Sequence, residues 1–320
     1  MNLSSSSVKG IIQNAPVGKI SHIEVDVPGF PGQGVARAPL ILAKGLNKGP
    51  TLWLSSTIHG DELNGIEVIH RLTKWLNPDK LHGMILAFPI VNVHGFLNQS
   101  RYLPDRRDLN RSFPGSSTGS LASRMAQFLK NELLSECNYG IDFHTASEGN
   151  RNIIQVRTDL NDSTNMDMAV HFGAPATLHA SLRDGSLRHA AFKLGIKMLV
   201  VEMGSTQRFD ETEIQMALEG CQRVLKFLGM YKASRPKKAK PTLLLWNSSW
   251  QRAPASGIFK ANVKLGEIVK PGQYLGQVFD SFGELVGTIR SKMPSIVLGC
   301  RTNPLVYQGD ALFNLGIIKD

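Results

Sequence analysis

A histidine and a glutamate three residues apart form the first candidate metal-binding pair. The segment STIHGDELNG (56–65) places His59 and Glu62 where a predicted strand gives way to a predicted helix. Two ligands on one tight turn can bind one ion together, and open α/β sheets place their sites at the carboxyl ends of strands. A carboxylate that caps the helix, beside an unrelated histidine, explains the same pair equally well.

A second histidine stands at the end of another predicted strand. In IDFHTASEG (141–149), His144 follows Asp142 by two residues on the same strand face, where the carboxylate can orient the imidazole as in many metal sites. A histidine without any metal partner is the alternative. Glu148 competes as a ligand, but it falls beyond the strand in a polar loop.

Glu202 is a carboxylate in an otherwise apolar segment. It is the one ionisable group of LVVEMGS (199–205), which reads as a fully buried strand. Burial of a carboxylate is costly unless the group is paired, coordinates a metal or titrates usefully. In a catalytic zinc site three protein ligands leave one position for water, and a separate carboxylate accepts the proton of that water. Glu202 is therefore the candidate general base.

The segment QSRYLPDRRDLNRSFPG (99–115) is rich in arginine. Guanidinium groups polarise a scissile carbonyl or bind a carboxylate in bidentate fashion. Solvated loop charges account for most of these arginines equally well.

The elements that must position these residues alternate between strands and helices. Apolar runs predict strands at 51–57, 83–92, 140–145 and 197–204. Stripes of apolar residues predict three helices, which contain the following sets: Leu63, Ile66, Ile69, Leu72 and Leu76; Leu121, Met125, Phe128, Leu129 and Leu133; Ile214, Leu218, Cys221, Leu225 and Leu228. Asp210 and Thr212 are candidate caps of the third helix. This alternation favours an α/β domain with a parallel or mixed sheet.

The sequence pattern changes near residue 241. The segment SRPKKAKP (234–241) carries four basic residues and two prolines in eight positions and predicts a solvated linker. Short β-like pieces separated by glycines follow it, and they predict a small all-β domain over 242–320 after a catalytic domain over 1–233. The serine run at 4–7 predicts a loose tail.

Composition narrows the class of protein. The chain has 320 residues, of which 42% are hydrophobic and 19% charged, as in soluble globular proteins. No apolar run reaches the length of a spanning helix, and the opening residues lack a secretory signal, so we expect a cytoplasmic protein without a membrane partner. The cysteines, Cys137, Cys221 and Cys300, form no CxxC pair, so any metal requires His and carboxylate ligands.

The net charge of +10 raises the question of nucleic acid. Part of this charge lies in the predicted linker, and no helix-turn-helix, zinc finger or aromatic RNA-binding motif is present. We therefore expect no nucleic-acid partner, because an anionic small substrate explains scattered arginines as well.

Four motifs in a fixed order carry a family resemblance. HGDE (59–62), RDLNRSFPG (107–115), DFHT (142–145) and EMG (202–204) together resemble the succinylglutamate desuccinylase/aspartoacylase family, relatives of the zinc carboxypeptidases. The resemblance covers roughly residues 50–230, and the ordered set is more specific than any member of it. It implies an α/β fold with a zinc-carboxypeptidase-like mixed sheet flanked by helices and a small C-terminal all-β domain.

The resemblance also implies roles for residues at the reacting centre. His59, Glu62 and His144 match the family's ligands of one Zn²⁺ ion. Glu202 matches the general base, and Arg101 matches the arginine that helps to stabilise the oxyanion.

Substrate-binding residues follow from the same resemblance. Asn110 and Arg111 match the family's substrate-binding pair. Arg188 in DGSLRHAAF is the candidate for a further substrate arginine, and Tyr307 in NPLVYQGD is the candidate for a tyrosine contributed by the C-terminal domain.

The C-terminal stretch has a second resemblance. Residues 253–278 resemble a lipoyl/biotinyl hammerhead, but the turn that would present the modified lysine reads DSFGE (280–284) and contains none. We therefore predict a scaffold or a lid instead of a carrier.

Residues and resemblance together predict a zinc-dependent amidohydrolase that removes an acyl group from a small anionic N-acyl amino acid. A metallocarboxypeptidase that acts on peptide C-termini is the nearest alternative. A non-enzymatic basic protein that binds nucleic acid is the alternative from a different class.

Overall fold

A computed structural model describes residues 7–29, 36–232 and 235–319. Most of the serine run at 4–7, as well as residues 233 and 234 at the predicted domain boundary, lies outside these ranges. The helices are α1 (Val8–Gln13), α2 (Asn64–Trp75), α3 (Val93–Leu97), α4 (Leu121–Phe128), α5 (Ser163–Phe172), α6 (Leu187–Lys193) and α7 (Glu211–Phe227).

Seventeen strands occur in the described residues. Those before residue 233 are β1 (Lys19–Val27), β2 (Ala36–Lys44), β3 (Asn47–Ser56), β4 (His82–Phe88), β5 (Tyr139–His144), β6 (Asn150–Thr158), β7 (Ala176–His179) and β8 (Lys197–Gly204). Those after residue 241 are β9 (Leu243–Leu245), β10 (Ser248–Arg252), β11 (Gly257–Ala261), β12 (Ile268–Val269), β13 (Tyr274–Phe279), β14 (Leu285–Arg290), β15 (Ser295–Arg301), β16 (Leu305–Val306) and β17 (Ala311–Ile317).

The large sheet is mixed, as predicted. Its main path runs β1-β2-β4-β3-β5-β8-β6-β15-β17-β10. The central strands β4, β3, β5 and β8 are parallel to one another, whereas β2 and β6 run antiparallel to their neighbours in this group. The carboxyl ends of β3, β5 and β8 therefore meet at one edge, where α/β sheets place their ligands.

Helices cover both faces of this sheet. On one face α2, α5 and α7 bury apolar residues such as Leu72, Phe172 and Leu225 against the strands. On the other face α1, α4 and α6 bury Ile12, Met125 and others. The predicted apolar stripes of α2 and α7 thus form core, and the stripe that begins at Leu121 continues beyond α4 into a π-helical turn over Leu129–Leu133.

Asp210 precedes α7, as predicted for a cap, but its side chain makes no capping hydrogen bond. Its carboxylate instead accepts from the backbone N–H of Ser205 at 2.8 Å and from the Asn64 amide at 3.3 Å. Asn64, the fully buried first residue of α2, also donates to the Met203 carbonyl. These bonds fasten the start of α2 to the end of β8.

The strands after residue 241 divide between two sheets. β14, β13, β11 and β16 form a separate antiparallel sheet. β15 pairs with β6, where Gly299 faces Asn152, and so β15, β17 and β10 extend the large sheet. The division of the chain at 234–241 and the scaffold or lid role remain predictions, but the two parts share a hydrogen-bonded sheet.

Within the described part of the chain, no helix combines the length and the apolar character that a membrane span requires.

Candidate metal centre and active site

Three neighbouring strands bring the candidate residues to one edge of the sheet. His59 and Glu62 lie on the connection between β3 and α2, and His144 is the last residue of β5. In β8, Glu202 lies directly beside His144 in the parallel register. Residues that are far apart in sequence therefore meet because their strands are adjacent.

Glu62 lies between the two histidines. Its Oε1 is 2.7 Å from His59 Nδ1, and its Oε2 is 2.8 Å from His144 Nδ1. The backbone N–H of Thr145 donates to the same Oε2 at 3.1 Å. All three side chains are buried, and one ligand atom of each lies within 4.8 Å of the others.

The outward nitrogen of each imidazole faces a further carboxylate. His144 Nε2 is 2.8 Å from Asp142 Oδ2, so of the two alternatives left open by the sequence the structure shows the orienting contact. Asp142 Oδ1 accepts from the Ser55 hydroxyl at 2.6 Å, and Ser55 in turn accepts from the Trp53 indole. His59 Nε2 lies 3.3 Å from Asp108 Oδ1, although without the alignment of a hydrogen bond.

At this cluster, charge pairing shifts the pKa values of the side chains more than burial does. Burial alone would raise the pKa of Glu62, but His59 and His144 hold that pKa well below its usual range. Burial would lower the pKa of His144, yet Asp142 and Glu62 raise it well above 6.5. The pKa of His59 is likewise raised, because Glu62 and Asp108 outweigh its burial.

The donor set fits a zinc ion. Two imidazole nitrogens and a carboxylate make up a common ligand set of catalytic zinc, which keeps a further position open. The contact of Asp142 with the outward nitrogen of His144 is the arrangement that fixes the orientation of a metal-bound imidazole. A helix-capping role for Glu62 does not account for its position between two histidines.

A cavity of about 390 Å³ opens beside the cluster. It is lined by His59, Glu62, Arg101, Asn110, Arg111, His144, Thr145, Ala146, Ser147, Asn152, Arg157, Arg183, Val200, Glu202 and Trp250. The lining includes four arginines and two glutamates, and one of those glutamates is engaged by the histidines. The cavity is therefore cationic, and a bound Zn²⁺ would make it more so.

Glu202 faces this cavity and is not fully buried. Its side chain is 16% exposed, which corrects the expectation of complete burial, because the cavity opens over this end of β8. Asn152 Nδ2 donates to Glu202 Oε2 at 3.2 Å. Arg157 Nη1 lies 3.7 Å from Oε1, and its buried Nε has no partner among the described residues.

Arg101, Asn110 and Arg111 also line the cavity. Arg101 contacts Glu62 at 3.4 Å and Asp108 at 2.9 Å. The side-chain carbonyl of Asn110 accepts from the backbone N–H of Leu187 and so ties its turn to α6. Burial lowers the pKa of Arg111, and Arg183 and Arg101 add to this shift.

The structure does not bring Arg188 or Tyr307 to this cavity. The guanidinium of Arg188 donates to the carbonyls of Ala180 and Ser181 and lines a separate cavity of about 120 Å³. Tyr307 is 65% exposed and does not line the site cavity, into which β10 contributes Trp250 instead.

Sequence reasoning missed Asn152, Arg157, Arg183 and Trp250. Arg183 lies five residues before Arg188, in the loop that precedes α6, so the segment singled out from the sequence contained two candidate arginines. The local sequence could have indicated Arg157, since it is a charged residue at the end of the largely apolar segment IIQVRT. Nothing in the local sequence indicated Asn152 or Trp250, because both depend on long-range strand pairing.

This chain is similar in sequence to a curated protein and similar in fold to several solved structures. A curated relative from Halomonas elongata, N-alpha-acetyl-L-2,4-diaminobutyric acid deacetylase, is 25% identical over 293 residues, which cover 87% of this chain and 85% of that protein. A succinylglutamate desuccinylase/aspartoacylase from Rhodobacter sphaeroides superimposes with a TM-score of 0.83 at 24% identity, over 92% of this chain and 95% of the other.

A second solved structure is the product-bound ectoine utilization protein EutE (DoeB) from Ruegeria pomeroyi. It has a TM-score of 0.84 at 21% identity and covers 95% of this chain and 98% of that one, which shows a common fold. The sequence profile of the succinylglutamate desuccinylase/aspartoacylase catalytic domain matches residues 48–228, more than half of the 320 residues. This chain belongs to the succinylglutamate desuccinylase/aspartoacylase family.

Proposed function

We propose that this protein is a zinc-dependent amidohydrolase that removes the acyl group from a small anionic N-acyl amino acid. The observation that carries the proposal is the buried His59–Glu62–His144 cluster with a separate carboxylate, Glu202, in the same cavity. Family membership and the deacetylase activity named for the Halomonas relative support hydrolysis of an amide.

His59, Glu62 and His144 would hold the metal. A zinc ion bound there would polarise the amide carbonyl and lower the pKa of a water molecule toward neutrality. Asp142 fixes the His144 ring through its 2.8 Å contact, so that Nδ1 is directed toward the centre.

Glu202 acts as the general base and then as the general acid. It accepts a proton from the attacking water and returns that proton to the amine as the C–N bond breaks. Its place on the strand beside His144 brings it next to the metal ligands, and its carboxylate reaches the open cavity.

The arginines bind and stabilise negative charge. Arg101 lines the cavity beside Glu62 and stabilises the charge that develops on the carbonyl oxygen during attack. Arg111 and Asn110 lie on the same lining as Arg183, and this cationic wall binds the substrate carboxylate.

Substrate size and charge follow from the same cavity. A volume of about 390 Å³ suits an acylated amino acid better than a long peptide. The excess of arginines over free carboxylates favours an anionic substrate. The chain's general positive charge needs no nucleic-acid partner for its explanation.

A panel of N-acetyl and N-succinyl amino acids tests the proposal. We expect the zinc-loaded protein to hydrolyse at least one of them faster than a matched dipeptide, and Glu202→Gln to lose at least about 100-fold in kcat, as for removal of a general base. Faster cleavage of the dipeptide supports a carboxypeptidase instead. Undiminished turnover by Glu202→Gln removes Glu202 from its role.

A further inference from the structure

The side chain of the proposed general base has a single hydrogen-bond partner within the described residues. Asn152 Nδ2 donates to Glu202 Oε2 at 3.2 Å, and Arg157 approaches the other oxygen only to 3.7 Å. A glutamate has several rotatable bonds, and a base displaced by about 1 Å can lose about 100-fold in rate. The Asn152 amide is therefore the contact that restricts where the Glu202 carboxylate lies.

Asn152 occupies a position between two glycines of the sheet. On β6 it faces Gly204 of β8 on one side and Gly299 of β15 on the other. Asn152 as a whole is 7% exposed, so the neighbouring strands largely enclose it. Glu202 lies two residues before Gly204 on β8, and the pairing of β6 with β8 shifts register between Asn152 and Gln155, the residue that faces Glu202.

Gly299 leaves room for this amide. A β-carbon added to Gly299 would overlap Asn152 Oδ1, whereas its next contact, the Arg151 carbonyl, is at an ordinary 3.5 Å. The backbone of Gly299 does not have a positive φ, so conformational strain does not explain the glycine. A methyl group there would push aside the end of the Asn152 side chain rather than the backbone.

We infer that Asn152 is a positioning residue for the general base and that the missing side chain at Gly299 permits its contact with Glu202. The inference rests on the proposed function, in which Glu202 transfers the proton. It assigns to the strands after residue 241 a part in catalysis that is separate from the cavity lining by Trp250.

A double-mutant cycle tests the inference. We expect Asn152→Ala to lower kcat about ten-fold, the loss typical of one hydrogen bond to a charged group, with unchanged KM and zinc content. Gly299→Ala should lower kcat by a similar factor. In the Asn152→Ala background the added methyl group has room, so the double variant should lose no more than Asn152→Ala alone.

Two controls accompany the cycle. Gly10→Ala adds a methyl group in α1, where its nearest neighbour is 3.5 Å away, and should leave kcat unchanged. In the Glu202→Gln background, Asn152→Ala should cause no further loss. If Gly299→Ala fails to fold, the kcat of Asn152→Ala alone tests the inference. Asn152→Ala shortens a side chain and creates no steric clash, so we expect it to fold.

Wild-type kcat in Asn152→Ala would overturn the inference, and additive losses in the double variant would overturn the role of Gly299. If the wild-type protein hydrolyses no acyl amino acid, the proposed function fails separately. Crystal structures then decide: we expect the Asn152–Glu202 contact to be broken in Gly299→Ala, and an intact contact would contradict the inference.

Discussion

Asp142 and His144, two residues apart on β5, form a carboxylate–imidazole pair with Oδ2 and Nε2 at 2.8 Å. Because successive residues of a strand alternate between faces, this spacing places both side chains on one side. The carboxylate occupies Nε2 and leaves Nδ1 directed at Glu62. The Ser55 hydroxyl holds the other oxygen of Asp142, so the pair is anchored to β3.

Removal of this carboxylate should weaken zinc binding. We expect Asp142→Asn to lower zinc affinity about 10- to 100-fold, as for other outer-shell partners of metal-bound histidine. Competition with a chelator measures the change. Ser55→Ala, which acts one contact further away, should have a smaller effect, and equal affinities in Asp142→Asn and wild type would contradict the assignment.

Zinc binding should release protons at pH 7. Although burial opposes them, Asp142 and Glu62 hold the pKa of His144 well above 6.5 in the metal-free protein. A histidine whose pKa is raised is protonated to a greater extent at pH 7 than a free histidine. Zinc coordinates only the neutral ring, so binding displaces protons. Zinc affinity should therefore fall as the pH falls.

Calorimetric titration with Zn²⁺ in two buffers of different ionisation enthalpy measures the released protons. Identical heats in both buffers would show that both histidines are already neutral and would contradict the expectation.

The cationic cavity should discriminate among substrates by charge. With four arginines and two glutamates on its lining, the site should favour N-acyl amino acids with an acidic side chain over neutral ones of equal size. A substrate with a cationic side chain, such as N-alpha-acetyl-L-2,4-diaminobutyric acid, should be the poorest of the three.

Comparison of kcat/KM at constant ionic strength checks this order. A preference for the cationic substrate would mean that the arginines bind the acyl group or stabilise the fold, and that they do not contact the amino-acid side chain.

Arg183 and Arg188 form a matched pair of variants. Arg183 lines the cavity, so Arg183→Ala should raise KM about ten-fold through loss of a charge-assisted contact. Arg188 instead binds two backbone carbonyls, so Arg188→Ala should leave KM unchanged and destabilise the fold by about 1 kcal/mol.

Steady-state kinetics and urea unfolding of both variants separate the two roles. The reverse pattern, with KM raised by Arg188→Ala alone, would restore the assignment that the sequence suggested.

Local pattern predicted the residues that lie near strand ends. The apolar runs located β3, β5 and β8 but did not give their order in the sheet. The structure shows that these strands are parallel neighbours, which brings His59, His144 and Glu202 to one edge. The family resemblance is confirmed by the profile match over residues 48–228. Strand alternation placed Asp142 and His144 on one face, but it left open the contact between them that the structure shows.

Long-range pairing and loop paths were out of reach of the same reasoning. Which arginine of 183–188 faces the cavity depends on how that loop packs against the turn at Arg111, where Phe113 donates to the Gly185 carbonyl. Trp250 enters the site because β10 joins the large sheet through β17, a register that no local signal encodes. Glu202 is partly exposed because the cavity opens above it, which apolar neighbours in sequence cannot show.

The pairing of β15 with β6 has a consequence for hybrids between relatives. A protein that takes everything after residue 241 from another family member would also acquire that member's counterpart of Trp250, which lines the cavity, and its counterpart of Gly299, which faces Asn152. We therefore expect the substrate selectivity of such a hybrid to follow the source of its C-terminal strands. A chain shortened at the same point would leave backbone groups of β6 that pair with β15 without a partner, and such exposed strand edges promote aggregation.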